Sequence, residues 1–212
     1  MKKIIHLSDT HKREDLIKIN KCDILIHSGD ANISMLRDLN LFISWMVSQP
    51  AKHRIYVAGN HDDMCEAVPE LVKQIFKENN IIYLENEEAI IDGIKFWGSP
   101  YTPQYNNWAF MKSRGDAIMR VWKMIPDDTD ILITHGPPMN ILDFTIRGNI
   151  HCGCWDLDYM IKKIKPKLHL FGHVHEGFGH YKNEHTAYYN GSILNENYEF
   201  QNAPHEIMFE EK

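Results

Sequence analysis

Long apolar runs are missing from this chain. None approaches the roughly 18 residues that span a bilayer, so no membrane partner is expected. Positive charge is also short. The 23 Lys and Arg against 29 Asp and Glu leave a formal net charge of −6, which disfavours an extended nucleic-acid surface, because duplex binding needs a basic face. Cysteine is scarce: Cys22, Cys65, Cys152 and Cys154 form no paired CxxC. A chain of 212 residues buries enough core to need no disulfide staples, so reduced thiols are expected. Cys152 and Cys154 with His151 offer zinc donors, but they lack a second pair, and a structural turn is the expectation. The opening "MKKIIHLSDT" places His6 and Asp9 where a secretory leader would be apolar, and a cytoplasmic location is expected. Repeats, low-complexity tracts and linkers are absent. With 43% hydrophobic and 25% charged residues, the composition suits a single domain over residues 1–212. Nothing in it sets an oligomeric state.

Histidine, by contrast, is plentiful, with thirteen copies. It is the commonest metal ligand and a frequent acid or base, so its placement matters more than its number.

Short apolar runs bounded by Gly, Pro, Asn or Asp predict strands at 3–8, 23–28, 54–58, 81–84, 89–98, 130–134, 167–171, 186–190 and 205–210. Alternating apolar and charged faces predict helices over 34–49, 66–79, 114–124 and 156–164. That order predicts a layered α/β architecture, with parallel crossovers in the first half and hairpin-like pairing later.

Five runs end alike. "KIIHL" leads into "SDTH", "DILIH" into "SGD", "RIYVA" into "GNHD", "DILIT" into "HGPP" and "LHLF" into "GHVH". Ligands of open α/β sheets bind beyond the carboxyl ends of the strands, so these clusters are expected to meet at one rim. Asp9, His11, Asp30, Asn60, His135, His173 and His175 supply carboxylate, imidazole and amide oxygen, a mixture suited to Mn, Fe or Zn. These are too many ligands for one ion. Asp30 is the natural bridging carboxylate, and the other six divide into two groups of three. Two divalent ions about 3.5–4 Å apart form a clamp for in-line displacement at phosphorus. A tight turn at Gly59 would present Asn60 to a metal and His61 to the substrate. His61 is then the candidate donor to the leaving oxygen, with Asp62 orienting or acidifying it.

Other residues have plainer readings. His6, His27 and His169 sit within apolar strands and are expected to be hydrogen-bonded in the core or behind the ligands; His53, His180, His185 and His205 are expected at the surface, with His180 near enough to touch substrate. Trp97, Tyr101, Tyr105, Trp108 and Phe110 form a set able to stack a nucleobase, although Trp97 and Phe110 are better placed in the core. Met35, Met46, Met111, Met119 and Met124 are expected as helix core.

The ordered blocks "SDTH", "SGD", "GNHD", "THG" and "GHVH" resemble the calcineurin-like metallophosphoesterase superfamily, whose pattern is DxH, GD, GNH[DE], a later H and GHxH. Further blocks, "FWGSPYTPQYNNWAF", "PKLHLFGHVHEGFG" and "YYNGSILNENY", are similar to its MPPED-type branch. The resemblance implies a four-layer αββα sandwich of two mixed β-sheets flanked by helices. It assigns Asp9, His11, Asp30 and His175 to one metal, Asp30, Asn60, His135 and His173 to the other, and a general-acid or stabilising role to His61. It also implies hydrolysis of phosphodiesters, including cyclic nucleotides, by in-line attack of metal-bound hydroxide, with a small phosphodiester or nucleotide as partner. A phosphomonoesterase, a phosphoprotein phosphatase and a weakly active nucleotide-binding scaffold are the rival readings. His173 stands where some members carry glycine, Asp62 where Glu is commoner, and Asn140 where Gly is common; "GDAN" lacks the aromatic of GDFT.

Overall fold

The computed structural model describes residues 1–210. In chain order it contains β1 (Lys2–Leu7), β2 (Cys22–His27), α1 (Leu36–Ser48), β3 (Ala51–Tyr56), α2 (Asp63–Ala67), α3 (Pro69–Glu78), β4 (Ile82–Tyr83), β5 (Glu87–Ile91) and β6 (Ile94–Ser99). There follow β7 (Thr102–Pro103), β8 (Met111–Lys112), α4 (Asp116–Trp122), β9 (Ile131–Thr134), β10 (Phe144–Thr145), β11 (Ile150–His151), α5 (Trp155–Ile164), β12 (Leu168–Phe171), β13 (Gly179–Lys182), β14 (Ala187–Asn190) and β15 (His205–Phe209).

One sheet runs β15-β1-β2-β3-β4, the other β13-β14-β12-β9-β6-β5. Strands β1 to β4 pair in parallel, and so do β6, β9, β12 and β14. Antiparallel pairs occur only where β15, β5 and β13 close the edges of these sheets. Hairpin-like pairing later in the chain is found at β10-β11 and β13-β14, while the centre of the second sheet is parallel as well.

Because successive strand residues face opposite ways, each continuous apolar run feeds two cores. Ile5, Leu7 and Leu25 pack under α1, α2 and α3 with Phe42, Cys65 and Phe76. Ile4, Ile24 and Ile26 face the other sheet, against Phe96, Ile131 and Leu170. Trp97, Leu132 and Phe171 pack under α4 and α5 with Trp122 and Leu157. Four layers result, helix, sheet, sheet, helix. In α1 the buried residues Leu39, Phe42, Ile43 and Met46 fall at helical spacing, while Met35 and Met124 are exposed. The helix-core expectation therefore fails for those two. Met111 lies on β8 rather than on a helix.

Two predicted elements are each two elements. The strand over 89–98 breaks at Asp92–Gly93, both at positive φ (50° and 80°), the conformation of a two-residue hairpin turn. The helix over 66–79 breaks before Pro69, which starts α3 at a first-turn position where its missing N–H costs nothing. No helix of the described residues is long and apolar enough to cross a membrane. All four cysteines are free. Cys154 Sγ accepts from Trp122 Nε1 at 3.3 Å, and His151 turns to Asp143, so the CxC is a turn.

Candidate metal centre

The parallel strands β1, β2, β3, β9 and β12 end on the same rim, and each hands over directly to ligand-type residues. The backbone bends sharply there. Asp9, His11, Asp30 and His173 all have positive φ (55°, 43°, 58° and 70°), a region that costs a side-chain-bearing residue of order 1–3 kcal/mol and persists only where the surroundings hold it. Close packing makes two glycines obligatory. A Cβ on Gly59 would strike the Asp30 carboxylate, and one on Gly172 the Asp9 carboxylate.

Two groups converge, Asp9 with His11 and His175, and Asp30 with His135 and His173; within each, the candidate ligand atoms lie within 4.8 Å of one another. Asp30 Oδ2 stands between the groups, 3.4 Å from His135 Nε2 and 3.8 Å from His11 Nε2. Asn60 Oδ1 joins the second group at 3.0 Å from His135 Nε2. Other contacts aim the carboxylates. Asp9 Oδ2 accepts from Ser192 Oγ at 2.8 Å and from the His173 N–H at 2.9 Å, which leaves Oδ1 buried with no contact shorter than the 3.5 Å to His175 Nε2. His11 Nε2 is likewise buried and unpartnered.

Imidazole protons show what the site is built to hold. His135 Nδ1–H donates to the Ser28 carbonyl at 2.9 Å, and His175 Nδ1–H to the Asn195 carbonyl at 2.8 Å; a carbonyl only accepts, so in the neutral rings Nε2 is a lone pair. Those lone pairs face carboxylate oxygens at 3.4 and 3.5 Å. Such pairs repel unless a cation lies between. Orphaned buried donors, mixed carboxylate and imidazole chemistry, and facing lone pairs all fit two divalent ions.

Without metal, protons fill that need. Burial lowers both imidazoles, but it is outweighed at His135 by the Asp30 charge and at His175 by the Asp9 hydrogen bond and charge, and each is pushed up to about 9. A His whose folded pKa exceeds its unfolded value near 6.5 stabilises in full below that value, and loses this contribution as pH rises through the folded pKa. Chelator-stripped protein is therefore expected to lose melting temperature between about pH 7 and about pH 8.5, a loss that Mn²⁺-loaded protein, with both rings held unprotonated, does not share. A flat melting profile for stripped protein across that window would contradict this account. His173 is pushed the other way, down to about 4, by burial and then by the His135 charge.

His61 donates its backbone N–H to Asp30 Oδ1 at 2.8 Å. Its ring lines the cavity over the ligands and stands against Trp108, centroids 4.8 Å apart. Asp62 is corrected. It was expected to orient or acidify His61, yet its buried carboxylate accepts from Tyr56 Oη at 2.6 Å and from the N–H groups of Gly59, Ile33 and Asp30 at 2.7, 2.9 and 3.0 Å. It ties the loop after β2 to the loop after β3. Burial and then the Asp30 charge raise its pKa to about 6.

The remaining residues sort by burial. His6, His27 and His169 are fully buried, bonded to Ser28, Thr10 and Thr134. His205 and His53 are half-buried rather than at the surface, and His205 stacks on Phe178 at 4.6 Å. Exposed His180 stacks on Tyr189 and lines neither cavity at the centre. Tyr101 packs edge-on against Phe110, so the aromatic wall is Trp108 with Tyr105. Sequence reasoning missed Tyr198, which covers His11 and His175 edge-on at 4.9 and 5.2 Å, as well as Arg147, Glu176 and Glu196 in the cavity wall. Asn195 carried no signal, because its backbone carbonyl is what holds His175.

Comparison with known proteins agrees with this geometry. The family model described as Calcineurin-like phosphoesterase matches residues 2–177. The chain is 35% identical to human Metallophosphoesterase domain-containing protein 1 over 95% of this chain and 69% of the relative, and 34% identical to a UPF0046 protein of Caenorhabditis elegans over 95% and 73%. Among solved structures, the Phosphopantetheinyl Hydrolase of Mycobacterium tuberculosis superposes with a TM-score of 0.66 at 12% identity, over 92% of this chain and 90% of that one, a likeness of fold alone. With its candidate ligand residues inside the matched region, the chain belongs to the calcineurin-like phosphoesterase family, whose members are metal-dependent hydrolases of phosphate esters.

Proposed function

We propose that this phosphoesterase is a phosphodiesterase acting on nucleotides or similar small diesters, with two divalent ions, manganese first and iron or zinc as alternatives. Asp9, His11 and His175 would hold one ion, Asn60, His135 and His173 the other, with Asp30 between them. The bound ions supply positive charge to the phosphoryl oxygens and make water acidic enough to attack at neutral pH. His61, tied through its backbone to Asp30, delivers a proton to the leaving oxygen. Tyr198 and Trp108 narrow the entry and limit water around the reacting group.

The observation that carries the diester reading is the shape of the opening. The cavity over the candidate ligands, about 190 Å³, adjoins a second one, with Trp108, Thr145, Arg147, His173 and Glu176 lining both. A diester has two organic arms, and this centre has room for both, with an aromatic wall on the side of His61. Ala109 N–H bonded to Asn60 O at 3.2 Å and fully buried Phe110 hold that wall in place.

Stripped protein reloaded with Mn²⁺ is expected to hydrolyse bis-p-nitrophenyl phosphate in preference to p-nitrophenyl phosphate by about tenfold or more in kcat/KM. A preference for the monoester would replace this reading with a phosphomonoesterase.

A further inference from the structure

Three basic side chains of the second cavity take no part in the chemistry above. Arg114, Arg147 and His151 line its wall, around a volume of 460 Å³. Each is fixed from behind. The Arg114 guanidinium donates to the carbonyls of Gly153 and Cys152 at 2.7 and 3.1 Å, and Arg147 donates to Asn197 Oδ1 at 3.0 Å. His151 Nδ1 lies 2.6 Å from Asp143 Oδ1, and the other oxygen of that carboxylate accepts from the N–H groups of Asn140 and Gly153, both at 3.0 Å. Asp143 is 1% exposed and, as a carboxylate, only accepts, so Nδ1 of His151 carries a proton toward it, and Nε2, which has no hydrogen-bond partner among the described residues, is the position from which the imidazolium form would donate to an anion.

The two guanidinium groups of this wall are not ion-paired. Among the described residues, neither guanidinium has a carboxylate within the 4.0 Å of an ion pair. Glu176, the carboxylate in the same wall, instead accepts from Thr145 Oγ1 and the Ile146 N–H, each at 3.2 Å. In a chain of net charge −6, two unpaired guanidinium groups beside a metal centre are a costly arrangement for a neutral ligand and a favourable one for an anion. Their planar forks match phosphate oxygens, and their neutral partners hold them in place beforehand.

We propose that this cavity binds a second phosphate of the substrate, remote from the reacting phosphorus, so that the substrate class is a diester that also carries a terminal phosphomonoester. The proposal rests on the phosphodiesterase reading and deepens it. Trp108, shared by both cavities, provides the face on which the connecting ring lies.

A matched pair tests it: thymidine 5′-(p-nitrophenyl phosphate) with and without a 3′-phosphate, both followed by release of p-nitrophenolate from Mn²⁺-loaded protein. The 3′-phosphorylated ester is expected to be favoured by about tenfold or more in kcat/KM, expressed in KM, with the ratio falling toward one in Arg147→Gln and in His151→Gln. Calorimetry on the same protein separates this proposal from the one beneath it. Thymidine 3′,5′-bisphosphate is expected to bind about tenfold or more tightly than thymidine 5′-monophosphate, whether or not either ester turns over. Equal affinities in the wild type, or a preference left intact in both variants, would overturn the second-phosphate site. A binding preference without turnover would count against the phosphodiesterase and leave the site standing.

Discussion

Asp30→Asn is expected to keep the fold and lose metal and activity together. The substitution is isosteric, and an amide oxygen can still accept the His61 N–H that Asp30 Oδ1 accepts at 2.8 Å. What goes is the charge between the two groups, since Asp30 Oδ2 lies within reach of both His135 Nε2 and His11 Nε2. No other side chain stands in that place. Removing a carboxylate that serves two cations withdraws several kcal/mol of transition-state charge stabilisation, so kcat/KM is expected to fall by about 10³-fold or more and metal content to drop below that of the wild type. Metal analysis and turnover on one sample check both halves. Full activity in this variant would remove Asp30 from the centre.

The convergence of Asp30 and the other candidate ligands was legible in the sequence for a physical reason. Each follows a buried parallel strand by one to a few residues, so a one-dimensional pattern, apolar run then polar cluster, maps onto a shared rim. The parts that were not legible are those where contact depends on the path of the chain. Asp62 adjoins His61 in sequence, yet the turn sends its carboxylate down to Tyr56 and the loop backbones. Arg147, Asn195 and Tyr198 come from loops with no periodicity, and Asn195 acts through a main-chain oxygen that every residue type shares. Two breaks in the predicted elements carry local signals in the sequence. Asp92–Gly93 is a hairpin turn inside an apolar run, and Pro69 marks where one helix ends and another begins. Asn140 has φ 63°, a conformation that Asn tolerates better than most residues.

His61→Ala is expected to lower kcat by about 10² to 10⁴ while both ions stay bound. The ring belongs to neither group and stands against Trp108 and, edge-on, His11, so its removal vacates the leaving-group side without unseating a candidate ligand. Proton delivery matters most for a poor leaving group. The loss is therefore expected to be larger for an alkyl diester than for a p-nitrophenyl diester, whose phenolate departs with little help. An equal loss on both esters would assign His61 to charge stabilisation or positioning instead. A variant that also sheds metal would place its effect on Asp30 through the lost local order.

Two groups of side chains, joined by Asp30, are proposed to hold two divalent ions at which a phosphate ester is hydrolysed. The most direct measurement titrates chelator-stripped protein with Mn²⁺ and reads, on the same samples, ions bound per chain and hydrolysis of bis-p-nitrophenyl phosphate. Binding is expected to saturate at two ions per chain, with turnover rising as the second ion loads. Saturation at one ion with full turnover, or two bound ions with no turnover of any phosphate ester, would contradict it.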